Sequence, residues 1–497
     1  MSAYLLAIDQ GTTSSRAIIF NAIGQLMHLH QIDLTQFYPQ EGWVEADPDE
    51  MWENTLTCCR EVLKKSQLSA SDIAGMGISN QRETTLIWDR KTSRAIYPAI
   101  VWQDRRTAAL CQQLMQQPLH TTLQEKTGLL LDPYFSATKI MWILDHVPGA
   151  RDRAQKGELA FGTVDTFLIW QLTKGKSHVT DATNASRTLL FNIHTQQWDD
   201  EILNALHIPK ELLPDVLDSS AHFGKTDKEW LEKEILIAGV AGDQQAATIG
   251  QACFHEGMIK STYGTGCFML LNTGNKAILS KNKLLATIAY RLQNKVTYGL
   301  EGSIFSAGVT IKWLRDMIKL IKSADETESI AKSVNDTGGV YVVPGFTGLG
   351  APYWDPDARA AIVGLTRNSS IEHIIRASLE AVCYQTRDLL QAMRADSGTA
   401  LEILRVDGGM TTNNWLLQFL SDILNIEVQR PQCIETSALG AAFLAGLHVG
   451  IYSSLEDIMQ LWKASNRFLP TMPAAKREYL YDGWKKSVVR VLTKHQE

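Results

Sequence analysis

Asp9-Gln10-Gly11-Thr12-Thr13-Ser14-Ser15-Arg16 interrupts two short apolar runs, Tyr4 to Ile8 and Ala17 to Phe20. These residue types are suited to phosphate. Gly11 permits close backbone approach, four hydroxyls and successive N–H groups can surround phosphate oxygens, Arg16 can neutralise charge, and Asp9 can hold a hydrated Mg²⁺. The pattern is a hairpin rather than a Walker A loop, since no GxxxxGK[ST] occurs here. By itself an ordinary polar turn would explain it equally well.

Two further glycine-rich turns strengthen the phosphate reading. Tyr263-Gly264-Thr265-Gly266 precedes the apolar Cys267 to Leu271, and Asp407-Gly408-Gly409 follows Ile403-Leu404-Arg405-Val406. Apolar residues at helical spacing follow the last turn from Asn413 to Leu420, so Asp407-Gly408-Gly409 should join a strand to a helix N-terminus. Such an end suits an adenosine or a phosphate.

Four polar clusters also flank apolar runs: Arg82-Glu83, Trp102-Gln103-Asp104, Tyr134 before Ser136 to Lys139, and Asp243-Gln244. Open α/β sheets place ligands at such strand ends. Three of the clusters have a plainer reading as well: a surface salt pair for Arg82-Glu83, core packing for Trp102, a helix N-cap for Asp243.

The elements that must position these residues alternate between strand and helix. Ile73 to Ile78 reads as a strand, and Pro48 to Lys64 opens acidic before taking up helical apolar spacing. The alternation predicts an α/β architecture with buried sheets. The length of 497 residues suggests roughly three domains on the length prior alone. A polar, lysine-rich stretch from Gly224 to Glu234 precedes the apolar Ile235 to Ala241, and a boundary is expected near residue 250. The first phosphate turn then belongs to residues 1–250 and the other two to residues 251–497, with nucleotide in the cleft between them.

A net charge of -6 gives no electrostatic reason to expect nucleic acid or an anionic membrane as partner. Seven cysteines, odd in number and without a C-x-x-C pair, point to reduced thiols in the cytosol rather than disulfides or zinc. No signal peptide is evident at the N-terminus. The longest apolar candidate, Leu439 to Ile451, falls short of the ~18 residues a membrane span needs and contains His448.

DQGTTSSR, SNQRETT, WQDRR, GDQQAA, STYGTGCF and VDGG, in this order and with these separations, resemble the FGGY family of carbohydrate kinases, at its glycerol-phosphorylating branch. The match runs from about residue 4 to beyond residue 450. It includes two further family signatures, Tyr134 to His146 with Lys139 and Trp142, and Gly364-Leu365 to Glu380 with His373, Ala377 and Ser378. Pentulose and gluconate relatives share the phosphate turns but not this set of polyol residues.

The resemblance implies an α/β fold of two actin-like (ribonuclease H-like) ATPase domains, with ATP and polyol meeting in the interdomain cleft. It implies that Arg82, Glu83, Tyr134, Asp243 and Gln244 bind the glycerol hydroxyls, while Trp102 and Phe268 cover the carbon edge. Thr12, Thr13, Ser14, Arg16, Thr265, Gly308, Lys312, Gly409 and Asn413 would contact nucleotide. Lys312 stands where some relatives carry Gln. Asp243 would be the general base and, with Asp9, would hold Mg²⁺. A cytoplasmic homo-oligomer, dimer or tetramer, is implied too. Another polyol or sugar kinase of the family, or a non-catalytic actin-like ATPase, remains an alternative.

One segment departs from the pattern. Enteric members carry a glycine-rich loop with a basic residue that binds fructose 1,6-bisphosphate, and some Gram-positive members carry a histidine that a phosphocarrier protein phosphorylates. Lys225 to Glu234 here has no glycine, with four acids against three lysines, and no histidine lies between Lys225 and Gly239. Neither form of control is expected through this loop.

Overall fold

The structure, a computed structural model, describes residues 4–493. Two large sheets dominate it. The first has six strands in the order Ser220–Lys225, Leu236–Gly242, Ile73–Asn80, Tyr4–Gln10, Ser14–Asn21, Leu26–Asp33. Its three central strands are parallel, and the rest run antiparallel at the edges. The second sheet has seven strands in the order Leu285–Leu292, Lys295–Ile304, Cys267–Gly274, Ile259–Tyr263, Ile403–Asp407, Glu427–Pro431, Ala464–Phe468. It repeats the plan, a parallel centre continued by an antiparallel meander.

The central strands are buried on both faces, which is why they read as continuous apolar runs rather than alternating ones. Polar residues begin where these runs stop. Asp9-Gln10 closes one strand, Gln81-Arg82-Glu83 follows Asn80, Asp243 follows Gly242, and Asp407 closes another. The sequence patterning therefore gathers polar side chains at the carboxyl ends of the central strands of both sheets, where ligands bind in open α/β folds.

Two helices, Asp243–Gly250 and Thr436–His448, cross in close contact and connect the sheets. A Cβ on Gly440 would fall 1.8 Å from the Ala246 carbonyl oxygen, so only glycine allows this crossing. Thr436–His448 also packs on the first sheet, where Leu439, Phe443 and Leu444 join its core. This accounts for the apolar run from Leu439: it is a helix buried on nearly every side. No helix among the described residues is long and apolar enough to cross a membrane.

The expected helix at 48–64 spans Pro48–Ser66. Asp47 caps it, Asp49 and Glu50 sit in its first turn, and Lys64 and Lys65 in its last. The family-signature segment ending at Glu380 opens a 27-residue helix, Ile371–Ser397, which starts from a Ser370/His373 capping box.

Candidate active site

The first hairpin is built as its residues suggest. Tyr4–Gln10 and Ser14–Asn21 pair antiparallel, Asp9 stands opposite Arg16, and the Gly11 N–H donates to the Ser14 carbonyl at 2.9 Å. Arg16 is already engaged: its guanidinium is 3.8 Å from Asp9 and 2.9 Å from Glu435, at the start of the helix Thr436–His448. Its buried Nε has no partner. Ser14 is buried, Thr13 is exposed at the tip, and Thr12 Oγ1 accepts from Trp102 Nε1 at 2.9 Å. Thr12 thus links the hairpin to Trp102.

Arg82 and Glu83 do not form a surface pair. They are 3% and 1% exposed, inside a cluster of alternating charge. Arg82 Nε lies 3.2 Å from Asp243 Oδ1 and 3.9 Å from Glu83, and Arg82 also pairs with Glu301 of the second sheet. Arg187 Nε donates to Glu83 at 2.6 Å and its Nη2 to Glu301 at 2.9 Å. Glu83 has a φ of 61°, an unusual conformation for a non-glycine residue, and Ser136 Oγ and Lys139 Nζ both donate to its carbonyl. The helix Ser136–His146 thus fixes the Glu83 backbone, while Arg187 holds its carboxylate.

Asp243 is the first residue of its helix, with Gly242 at the cap position, and its side chain keeps 31% exposure toward the cleft. Burial drives its pKa up, against Arg82 and Lys260, which pull it down. Glu83 is likewise raised by burial despite both arginines. At Glu301 burial acts in the same direction, but Arg187 and Arg82 outweigh it and hold the carboxyl below the ordinary range.

Three aromatic rings form a wall beside this cluster. Trp102 meets Tyr134 edge-on at 5.6 Å and Phe268 at 6.1 Å, and the Arg82 guanidinium lies 5.8 Å from the Phe268 ring. Gln244 is buried and accepts from Lys260, a fully buried cation whose pKa is lowered by burial against the pull of Asp407 and Asp243. A compact site with charged donors and acceptors on one side and rings on the other can bind a small polyol.

The other expected nucleotide residues gather at the second sheet. Gly308 starts the helix Gly308–Asp316 and its N–H donates to the Gly264 carbonyl at 3.0 Å, which brings the Thr265 turn against that helix. Thr265 and Lys312 are exposed. Gly408, at φ 89°, lies against the Tyr263 backbone, and Gly409 beside it has open space where a side chain would project. Asn413 caps the helix Asn414–Leu424 by accepting from the Leu416 N–H at 2.9 Å, and its amide reaches Thr327.

Sequence reading missed Glu301, Arg187, Lys260 and Glu435. Glu301 offers one signal, a lone acid within the otherwise apolar or small Leu300 to Ile304. The others have none in their local sequence.

The paired sheets, phosphate turns and polyol-sized cluster define a two-domain carbohydrate kinase of actin-like fold. The chain belongs to the FGGY family of carbohydrate kinases: the family's N-terminal domain model matches residues 4–250 and its C-terminal domain model residues 259–449. It is 62% identical over 494 residues to a glycerol kinase of Coxiella burnetii (strain Dugway 5J108-111), covering 99% of this chain and 98% of that one. It is 58% identical to glycerol kinase 1 of Pseudomonas aeruginosa, covering 99% of each. Among solved structures, Plasmodium falciparum glycerol kinase with ADP superposes with a TM-score of 0.92 at 38% identity, covering 99% of both chains. A xylulose kinase of Lactobacillus acidophilus, 21% identical with a TM-score of 0.87 and 98% coverage of each chain, shares the fold.

Proposed function

We infer that this chain transfers the γ-phosphoryl group of ATP to a terminal hydroxyl of glycerol, giving sn-glycerol 3-phosphate. The observation that carries this reading is the buried Arg82–Glu83–Asp243 cluster beneath the Trp102, Tyr134 and Phe268 rings. Relatives named glycerol kinase that align over nearly the whole chain support it.

Arg82 donates to glycerol hydroxyls, Glu83 and Asp243 accept from them, Tyr134 and Gln244 complete the polar set, and Trp102 and Phe268 cover the C–H edge. Asp243 is the general base. As the acceptor oxygen bonds to the γ-phosphorus, its proton passes to Asp243 and ADP departs. The raised pKa of Asp243 makes it a stronger base than a free carboxylate. Residues 1–250 supply the acceptor site and first phosphate hairpin, and residues 251–497 the adenosine side. Thr12, Thr13, Ser14 and Arg16 face the phosphates from one half; Thr265, Gly308, Lys312, Gly409 and Asn413 face the nucleotide from the other.

Asp9 and Asp243 suit Mg²⁺. Asp9 is pushed up to about 6, chiefly by burial, with Glu435 and Asp243 adding to the rise. Bound Mg²⁺ would relieve that repulsion. No group of three or more His, Cys, Asp or Glu among the described residues is arranged for a metal. That is compatible with Mg²⁺, which is held through one or two carboxylates together with substrate phosphates. When bound, the ion neutralises charge on the transferring phosphoryl group.

Free cysteines, six of the seven buried, support a reducing, cytoplasmic setting. Assembly as a dimer or tetramer rests on the resemblance alone, and sedimentation velocity tests it. The activity is tested by incubating the protein with ATP, Mg²⁺ and glycerol and oxidising the product with a dehydrogenase specific for sn-glycerol 3-phosphate. Stoichiometric NADH supports the reading, and ATP hydrolysis that ignores glycerol refutes it.

A further inference from the structure

Glu301 lies within the strand Lys295–Ile304 of the second sheet, its side chain fully buried. The residues it binds come from the other half of the molecule. Arg82 reaches it with two nitrogens, Nη2 at 3.2 Å from Oε1, and Arg187 Nη2 reaches the same oxygen at 2.9 Å. Arg187 in turn holds Glu83, and Arg82 holds Asp243. Glu83, Arg187, Glu301, Arg82 and Asp243 thus form one cluster of alternating charge, in which Glu301 hydrogen-bonds both arginines, while Glu83 bonds Arg187 and lies 3.9 Å from Arg82.

Two guanidinium groups in a dry pocket would ordinarily capture a carboxylate, because the planar fork matches carboxylate geometry and water is excluded. Glu301 already fills that role from behind the site. Arg187 still has a buried Nη1 without a partner, so a donor is ready for an anion once the balance is disturbed. We propose that Glu301 is a positioning residue for the acceptor site, fixing Arg82 and Arg187 and saturating their charge so that the site takes uncharged polyols and refuses their carboxylate analogues. The proposal rests on the glycerol-phosphorylating reading and adds to it the residue that sets acceptor charge.

The test compares the parent enzyme with Glu301→Gln and Glu301→Asp, using glycerol, ATP and D-glycerate, a three-carbon analogue with a carboxylate in place of one terminal carbinol. Glycerol-dependent turnover of the parent is measured first, and its absence overturns the functional reading before any variant is made. With Glu301→Gln, KM for glycerol should rise roughly tenfold or more, the scale for a buried charged hydrogen bond left unmade, while KM for ATP stays within about twofold. D-glycerate should become competitive with glycerol at concentrations that leave the parent unaffected. Glu301→Asp keeps the charge but shortens the reach, so KM for glycerol should rise while D-glycerate is still refused. This second variant decides the matter if the first does not fold. Equal losses toward glycerol and ATP, unchanged glycerol kinetics in Glu301→Asp, or D-glycerate inhibition of Glu301→Gln no stronger than that of the parent would overturn the proposal.

Discussion

Arg82 Nε stands 3.2 Å from Asp243 Oδ1, joining the loop after one central strand to the first residue of the helix after its parallel neighbour. Because Arg82 is buried while Asp243 opens to the cleft, the pair orients the carboxylate without covering it. An acceptor hydroxyl can then reach the base from the solvent side. Parting the pair costs more than parting a surface ion pair, because Arg82 is buried and loses a partner it cannot replace with water.

Asp243→Asn removes the base and keeps the shape. kcat should fall by roughly 10²–10⁴-fold, the usual scale for a general base, while nucleotide affinity measured by calorimetry is retained. The pKa of Asp243 is raised, so its proton persists to higher pH than on a free carboxyl group and the active, ionised form is lost early on acidification. The acid limb of the kcat/KM profile should therefore lie above the ordinary Asp range and be absent in the variant. Near-parental turnover would remove Asp243 from the mechanism.

Arg82→Ala should weaken use of glycerol far more than use of ATP. It strips Glu301 and Asp243 of a buried cation, and a loss of about 1–3 kcal/mol or more corresponds to tenfold or greater in kcat/KM for glycerol. Steady-state kinetics with each substrate varied in turn would expose a purely structural role as equal losses in both.

Asp165 reports on stability rather than chemistry. It is buried away from the cleft residues, accepts from Thr163 and Thr180, and is pushed up to about 7 by burial, with Asp181 adding to the rise. The folded form thus holds a proton that the unfolded form has released, across the window from the ordinary aspartate value of 3.8 to about 7. Stability from this group is present below that window and declines as pH rises through it. Asp165→Asn should raise the urea midpoint at about pH 8 and do so progressively less toward pH 5, and a variant less stable at pH 8 would contradict this sign.

The loop at Lys225 to Glu234 gives little for a bisphosphate to bind. Lys225 lies 3.6 Å from Glu234, and Asp227 both caps the short helix Lys228–Leu231 and pairs with Lys176 at 3.3 Å. Initial rates should not change on titration with fructose 1,6-bisphosphate. Saturable inhibition abolished by substitution of Lys225 or Lys228 would show the expectation to be wrong.

What could be read in the sequence was whatever chemistry lies close together along the chain. The hairpin around Gly11, the strand ending at Asp407 and the pairs Arg82-Glu83 and Asp243-Gln244 each announce themselves within a few residues of an apolar run. Glu301 and Arg187 meet only because the second sheet packs on the other half, and the Arg82–Glu301 pair spans 219 residues of sequence. Tertiary packing makes such pairs, and no local pattern encodes them. Asp243 was open to reading as a simple cap. Gly242 takes that position instead, and the Asp243 carboxylate accepts from the Gln244 N–H and pairs with Arg82.

The central claim is that the Arg82–Glu83–Asp243 cluster and its aromatic wall are shaped for glycerol. It is tested most directly by kcat/KM for ATP-dependent phosphorylation of glycerol against erythritol, dihydroxyacetone and xylulose under identical conditions. The account predicts that glycerol is preferred over each of the others and that Arg82→Ala erodes this preference. Xylulose or erythritol turned over as efficiently as glycerol would contradict it.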